Sequence, residues 1–493
     1  MAVPATLSKS RYCHGLQCLR RLWWEVHEPD AAELVPDPRW QAIFDRGHQV
    51  GALARERFPG GVLLDFGPDQ RAERLLATQA ALAGGARVLF EASFSAGGVF
   101  AALDVLERRS AGSALVEVKS TLDVKEEHLP DVAAQLHAVR AAGLDVRTAE
   151  HMHLNRACTF PDLSDLFVRE DVTARAEALL PAIPDQLRRM CDALDGPLPA
   201  VAPGEQCERP HPCPFWARCH PPLPPHHVST LYQVRRPRLE GWQAAGVELL
   251  RDLPGDAPLT PIQARQVRAV KAGRAVVEDG LAAALAAIEP PVAFLDFETV
   301  APAVPVWSGC HPYDAVPVQL SCHVLGPCGA AVHHAHLAEP GGDPRPAIAE
   351  AVVRACGEAR TVVAYNAPFE SRCLDRLAVA VPRLAGRLQA IRARLVDLLP
   401  IVRDHVYHPD FGGRFGLKAV APTLVPGAGY GDLAIADGDT ASTELERLLL
   451  APGSVPEAEC EPLRARLLAY CARDTEVLVQ VYERLGALAR AAG

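Results

Sequence analysis

Asp296 and Glu298 form the first pair whose spacing can do chemistry. They sit two apart in an apolar run, residues 290–300, that reads as a strand. Residues i and i+2 of a strand project to one face, so both carboxylates point the same way. Burying two like charges together is costly unless a cation lies between them. Tyr470 and Asp474 are four apart on a predicted helix, and such positions share a face. Glu370 ends the run Asn366-Ala367-Pro368-Phe369-Glu370, just beyond an apolar strand over 361–366. Asp296, Glu298 and Asp474 can together hold two Mg2+ or Mn2+ ions about 4 Å apart, which serve attacking and leaving oxygens. Tyr470, with an ordinary pKa of about 10, is a poor base at neutral pH, so its part is to orient the attacking water. Asp397 reads as another acid of the site or as a helix cap. Gly416-Leu417-Lys418 reads as a substrate-positioning turn or as a surface loop.

A second constellation lies upstream. Asp104 is inside an alternating run over 99–107, and Glu117 and Lys119 end another over 114–119. Glu117 and Lys119 share a face, and Asp104 and Glu117 can hold a metal between neighbouring strands. Lys119 can stabilise charge developing at a phosphate. Gln135 follows on a predicted helix, and Glu91 is a further candidate acid.

Cys207, Cys213 and Cys219 are evenly spaced, five residues between neighbours, in a Pro- and His-rich segment that is no helical core. Cys18, beside Arg20-Arg21, offers a distant fourth thiol, with Cys13 as competitor and His211 and His220 as substitutes. Thiolate ligation suits a 4Fe–4S cluster or zinc, and spacing alone allows either. Cys158, Cys191, Cys310, Cys322, Cys356, Cys373 and Cys471 stand in apolar contexts and read as core. His333, His334 and His336 receive no role.

The elements that carry these residues fall into three regions. The first, 1–220, has a helix near 40–58, strands near 87–94, 99–107 and 114–119, a helix near 131–142, a strand near 147–154 and a helical stretch over 172–194. The order β-β-β-α-β around a few acids is an α/β nuclease-like core. Proline clustering at 221–227 opens a helical region, 221–289, expected as a linker module with a helix-hairpin-helix-like look. The third region, 290–493, adds strands at 316–325 and 330–337 and a long final helix from about Pro462. With 493 residues and roughly 150 per domain, about three domains are expected.

Hydrophobic residues make up 49% and charged residues 22%, which excludes a disordered chain. The net charge of −10 gives no global basic footprint, so nucleic-acid contact falls to local patches such as Arg20-Arg21 with Trp23-Trp24, or Arg235-Arg236. The opening residues lack the apolar core of a secretory signal, and no apolar run is long enough for a membrane span. A cytoplasmic protein with no membrane partner is expected, and its fourteen cysteines point to metal or buried thiols more than to disulfides.

The C-terminal motifs resemble the DnaQ-like exonucleases, which have an RNase H fold, of the subclass with four acids and a tyrosine. Asp296-Phe297-Glu298 matches their first motif and Tyr470 to Asp474 their third. Glu370 stands where the family usually has aspartate. The N-terminal region resembles RecB-type nucleases of the PD-(D/E)xK, restriction-endonuclease-like class, of the iron–sulfur kind. In that family one cysteine precedes the fold and three follow it, which implies Cys18 with Cys207, Cys213 and Cys219 around 4Fe–4S. Gln135 matches the family's last motif, but Val139 stands for its aromatic. Gly51 falls at the offset of its metal-binding histidine, and His48 is out of phase. The whole chain resembles a bacterial family that fuses these two domains. The resemblance implies a metal-dependent nuclease acting on DNA ends, single-stranded ones first, trimming 3′→5′ in the C-terminal domain. An RNA-processing exonuclease and a nucleic-acid-binding adaptor with a degenerate N-terminal site are the alternatives.

Overall fold

The computed structural model describes residues 6–36, 38–67, 69–327, 329–451 and 453–492. The first five residues, part of the segment read for a secretory signal, lie outside these. The protein is a mixed α/β chain in two compact units: Met1–Pro221 with Pro302–Tyr313, and Pro222–Ala301 with Asp314–Gly493.

Unit 1 contains β1 (Leu7–Ser8), α1 (Lys9–Gln17), α2 (Leu19–His27), α3 (Pro38–Arg55), β2 (Val62–Leu63), α4 (Arg71–Ala83), β3 (Val88–Ala96), β4 (Val99–Arg109), β5 (Gly112–Val118), α5 (Leu129–Ala141), β6 (Val146–Leu154), β7 (Phe167–Asp171), α6 (Thr173–Glu177), α7 (Ile183–Asp195) and α8 (Trp216–Cys219). The sheet order is β2-β3-β4-β5-β6-β7, with β1 beside β4. Strands β3, β4 and β5 form an antiparallel meander. Helix α5 then crosses over to β6, which lies parallel to β5. Pro130 starts α5, where no backbone donor is needed. Leu129, Val132, Leu136 and Val139 of α5 join the main core with Leu103, Leu106 and Leu115. The helical stretch expected over 172–194 is broken between α6 and α7 by a 3-10 turn over Leu180–Ala182. Pro181 and Pro184 remove the donors that a continuous helix would need there.

Residues 302–313, expected within the C-terminal region, belong to unit 1. Ala303 and Val304 sit in a small core with Val50, Leu154, Cys158 and Leu166. Phe160 exchanges backbone bonds of 3.0 Å with Gly309 and Cys310, and the Tyr313 hydroxyl donates to the Ser120 carbonyl.

Unit 2 contains α9 (Arg236–Ala244), α10 (Pro261–Ala272), β8 (Val276–Val277), α11 (Leu281–Leu285), β9 (Val292–Val300), β10 (Val316–Leu325), β11 (Ala331–Leu337), α12 (Arg345–Cys356), β12 (Thr361–Ala364), α13 (Pro368–Ala380), α14 (Ala385–Arg392), β13 (Leu395–Asp397), α15 (Leu398–His405), β14 (Val406–Tyr407), α16 (Leu417–Leu424), α17 (Gly438–Leu450) and α18 (Glu457–Ala492). Its main sheet runs β11-β10-β9-β12-β13. Neighbours on the β10 side of β9 are antiparallel, and those on the β12 side are parallel. Both faces are covered. Ala293, Leu295 and Phe297 pack on one side with α12, α13 and α14 residues. Val292 and Phe294 pack on the other with residues of α16 and α18. The pleat therefore sends Asp296 and Glu298 to the α18 side.

The region 221–289 does not stand apart as a linker. Its residues 222–289 group with unit 2, and β8 pairs antiparallel with β14. Thr260 and Gln263 form a capping box at the start of α10, and Gly273 ends that helix at φ +61°. No helix among the described residues is long and apolar enough to cross a membrane.

Candidate functional site

In unit 2, β9 supplies Asp296 and Glu298, and α18 supplies Tyr470, Cys471 and Asp474. Ligand atoms of Asp296, Glu298 and Cys471 all lie within 4.8 Å of one another, and no other such group occurs among the described residues. The Cys471 thiol lies 3.6 Å from Asp296 Oδ2. Asp474 Oδ1 accepts from the Tyr430 hydroxyl at 2.6 Å. Lys418 donates to the Tyr470 oxygen at 3.1 Å and lies 4.9 Å from the centres of both tyrosine rings. Glu370, in the first turn of α13, is 3% exposed, and its Oε2 has no hydrogen-bond partner.

Charge crowding shows in the acidities. Burial pushes the Asp296 carboxyl well above the carboxylate range, and the charges of Asp474, Glu298 and Glu370 push it further. Glu298 rises to about 8, by burial and then by Asp474, against the pull of Lys418. Glu370 also rises to about 8, chiefly by burial. Asp474 is raised by burial, with the hydrogen bonds from Tyr430 and Tyr470 opposing. Burial and the acids push the Tyr470 phenol up as well, so it keeps its proton at neutral pH. A divalent ion between these acids would relieve the repulsion that protons otherwise relieve.

Asp397 is a helix cap. It accepts from Leu399 N at 3.0 Å and Asn366 N at 2.9 Å, and so holds the turn before α13 with Asn366 at φ 69°. Lys418, of the Gly416-Leu417-Lys418 turn, is at the site. Tyr430 and Cys471 were not anticipated as site residues. Tyr430 lies in a loop with no periodicity, and Cys471 has the apolar surroundings of a core thiol.

In unit 1, β4 supplies Asp104, β5 supplies Glu117, and Lys119 follows directly. The sequence-expected residues meet. Lys119 Nζ lies 2.6 Å from Glu117 Oε1 and 2.8 Å from Asp131 Oδ2. Gln135 Nε2 donates to Glu117 Oε2 at 2.7 Å and to Asp131 Oδ1 at 3.1 Å. Asp104 Oδ2 accepts from Val118 N at 2.7 Å. Two members were not anticipated: Asp131, one turn before Gln135 on α5, and Lys9 at the start of α1. Lys9 Nζ lies 3.2 and 3.3 Å from the Glu117 oxygens and 3.4 Å from Asp131 Oδ1. Asp104 rises to about 7, by burial and then by Glu117. Burial also works against Asp131, but Lys9 and Lys119 outweigh it and hold that carboxyl well below its ordinary range. Glu91 lies at φ 59° in β3, between residues that pair on either side of Asp104, and its carboxylate is 3.7 Å from Arg74. His48 is exposed on α3.

The candidate ligand thiols of unit 1 separate into two places. Cys13 lies against the acid site, its thiol raised to about 12 by burial and then by Asp131. Cys18 sits between α1 and α2, facing the loop that carries the other three. Gln17 Nε2 donates to the carbonyls of Gln206 and His211, both at 2.7 Å. Cys213 N donates to Cys207 O at 2.8 Å. Burial raises the Cys213 and Cys219 thiols, and Cys18 and Cys207 each add to both shifts. Trp24 and Phe215 pack with ring centres 5.0 Å apart beneath Arg218, which pairs with Glu28 and Glu33.

Residues 293–416 match the family described as a domain of unknown function (DUF2779). The comparison with curated proteins finds no match.

Proposed function

We propose that the protein is a metal-dependent nuclease acting on DNA ends, with a 3′→5′ exonuclease in unit 2 and a second nuclease site in unit 1. The observation that carries this reading is the gathering of Asp296 and Glu298 of β9 with Cys471 of α18 within 4.8 Å, where the charges of Asp474 and Glu370 also act on Asp296. A mixed sheet with β9 at its centre and helices on both faces supports an RNase H-like exonuclease fold for unit 2. The β-β-β-α-β order around Asp104, Glu117 and Lys119 supports a RecB-like PD-(D/E)xK fold for unit 1.

The four unit 2 acids fit Mg2+ or Mn2+, since oxygen ligands suit hard cations. Two such ions, when bound, acidify the attacking water and stabilise the leaving oxygen. The chain's own groups set the geometry. Tyr430 fixes one oxygen of Asp474. The protonated Tyr470 gives its O–H to Asp474, takes the Lys418 ammonium on its oxygen, and has a lone pair left to orient the water. Lys418 also brings a positive charge toward the substrate phosphate. In unit 1, Asp104 and Glu117 would hold a metal, and Lys119 would face the phosphate.

Cys18, Cys207, Cys213 and Cys219 would hold a 4Fe–4S cluster that ties the chain before the unit 1 sheet to the chain after it. A single zinc with bonds near 2.3 Å needs thiolates roughly 3.8 Å apart. The resemblance to the iron–sulfur kind of RecB-type nuclease is what favours 4Fe–4S over zinc.

The test is anaerobically purified protein with Mn2+ and 3′- or 5′-labelled single-stranded DNA, with matched RNA alongside. Stepwise loss from the DNA 3′ end that disappears in Asp296→Ala is expected. Faster trimming of RNA would replace DNA by RNA as substrate, and no metal-dependent cleavage of either would overturn the reading.

A further inference from the structure

Lys9 has no part in the chemistry outlined above, yet it is the most constrained lysine of unit 1. Its backbone is fixed on both sides. Leu7 and Ser8 pair with Val99 and Phe100 of β4, and Ser8 caps α1 by accepting from Arg11 N at 3.3 Å. The ammonium therefore reaches the acids from a rigid base. It touches both oxygens of Glu117 and one of Asp131. Lys119 and the Gln135 amide engage the same two carboxylates. Every oxygen of Glu117 and Asp131 thus has a cationic or amide donor. Asp104 differs: one oxygen takes the Val118 amide, and no side-chain donor reaches its carboxylate among the described residues.

We propose that Lys9 is a built-in cation that occupies the space between Glu117 and Asp131, so that the unit 1 site takes a single divalent ion, between Asp104 and Glu117. This rests on the reading of unit 1 as a metal-dependent site. Three carboxylates and two ammoniums leave a net charge of −1, which one divalent ion reverses and a second would meet with strong repulsion at close range. The seat between Glu117 and Asp131 is closed by Lys9 for as long as β1 and α1 hold their places. Lys9 is in this sense a positioning residue: it fixes Glu117 and sets the number of ions, while Lys119 stays free to turn to the phosphate.

The test counts ions rather than turnover. Full-length protein carrying Asp296→Ala, Glu298→Ala and Asp474→Ala, which disables the unit 2 site, is titrated with Mn2+, and free Mn2+ is followed by electron paramagnetic resonance. One ion per chain is expected, and Asp104→Ala should abolish it. Lys9→Met should admit a second ion or tighten binding by at least about tenfold, because a neighbouring positive charge is gone. Lys9→Arg should keep the count at one. Two ions bound with Lys9 in place, or a Lys9→Met protein with unchanged count and affinity, would overturn the proposal while leaving unit 1 a metal site. No Mn2+ bound by either protein would overturn both this proposal and the metal reading of unit 1. If Lys9→Met does not fold, the count with Lys9 present still decides.

Discussion

The two acid sites of this chain are built from the same residue types and balance their charge in opposite ways. In unit 2, four carboxylates face one lysine, and the carboxyls of Asp296, Glu298, Glu370 and Asp474 are all pushed upward. In unit 1, Asp131 is held low by Lys9 and Lys119, and Asp104 is pushed up. Acids that are close together do not by themselves make a metal centre. What matters is how much of their charge the protein has already neutralised. Unit 2 leaves most of that charge without a basic partner, whereas unit 1 offsets much of it with its own side chains.

The largest expected effect falls on the catalytic step of unit 2. Asp296→Ala or Asp474→Ala should lower Mn2+-dependent 3′ trimming by about 10³-fold or more, since a metal-held transition-state charge is worth several kcal/mol. Lys119→Ala should leave that trimming intact. Trimming that survives Asp296→Ala and is lost in Lys119→Ala would move the exonuclease to unit 1 and invert the comparison. Tyr470→Phe should cost about 10²-fold in kcat, the ordinary size of a lost water-orienting or proton-handling group. Tyr430→Phe should cost less, because Tyr430 acts on the water only through Asp474.

The same contrast predicts opposite pH sensitivities in metal-free protein. Glu298 and Glu370 keep protons up to about pH 8 in the folded state, against an ordinary 4.5. Between those values the folded state binds more protons than the unfolded one, so stability falls as pH rises. In chelator, the unfolding midpoint of unit 2 should drop between about pH 5 and pH 8.5, and Mn2+ at a hundred times its Kd should restore roughly 2.7 kcal/mol. Asp131 works the other way. Its lowered pKa gives unit 1 stability that is present above its ordinary 3.8 and lost as pH falls below it. Asp104, raised to about 7, makes unit 1 share the fall above about pH 4, so the distinction lies below that, and a unit 1 midpoint that does not drop there would remove it. Cys207→Ser gives a smaller and local effect. It should bleach the iron–sulfur absorption and lower the unit 1 midpoint by roughly 5 °C, about 2 kcal/mol for a domain of this size, with unit 2 unchanged.

The residues legible in the sequence are those whose partners lie within one element. Asp296 with Glu298 is a strand pair, and Tyr470 with Asp474 is a helix pair, so the periodicity of β9 and α18 already fixes their faces. Asp131 was readable on the same logic, one turn from Gln135, but an aspartate near a helix start reads first as a favourable dipole contact. Lys9 was not readable, because it meets Glu117 across 108 positions through the pairing of a two-residue strand. Tyr430 joins Asp474 from an irregular loop 44 positions away. The segment 302–313 reads locally as a loop, and only tertiary contacts assign it to unit 1. Local pattern gave the acids. The cations and hydroxyls that set their charge come from chain reversals that no local pattern encodes.

Glu370 is where the smallest effect is the most instructive. The resembled family has the shorter aspartate, whereas Glu370 reaches from the first turn of α13 with one buried oxygen unpartnered. If that oxygen serves an ion, length and charge are separable. Glu370→Asp keeps the charge and withdraws it by one methylene, so activity should fall about threefold to tenfold and the Mn2+ needed for half-maximal rate should rise. Glu370→Gln keeps the length and removes the charge, so it should cost more than Glu370→Asp and should also make unit 2 in chelator less sensitive to pH. A Glu370→Gln protein with wild-type rate and metal requirement would strike Glu370 from the ligand set. Unit 2 would then hold ions with three carboxylates, as many as unit 1 has, and the difference between the sites would rest on Lys9 and Lys119 against Lys418 alone.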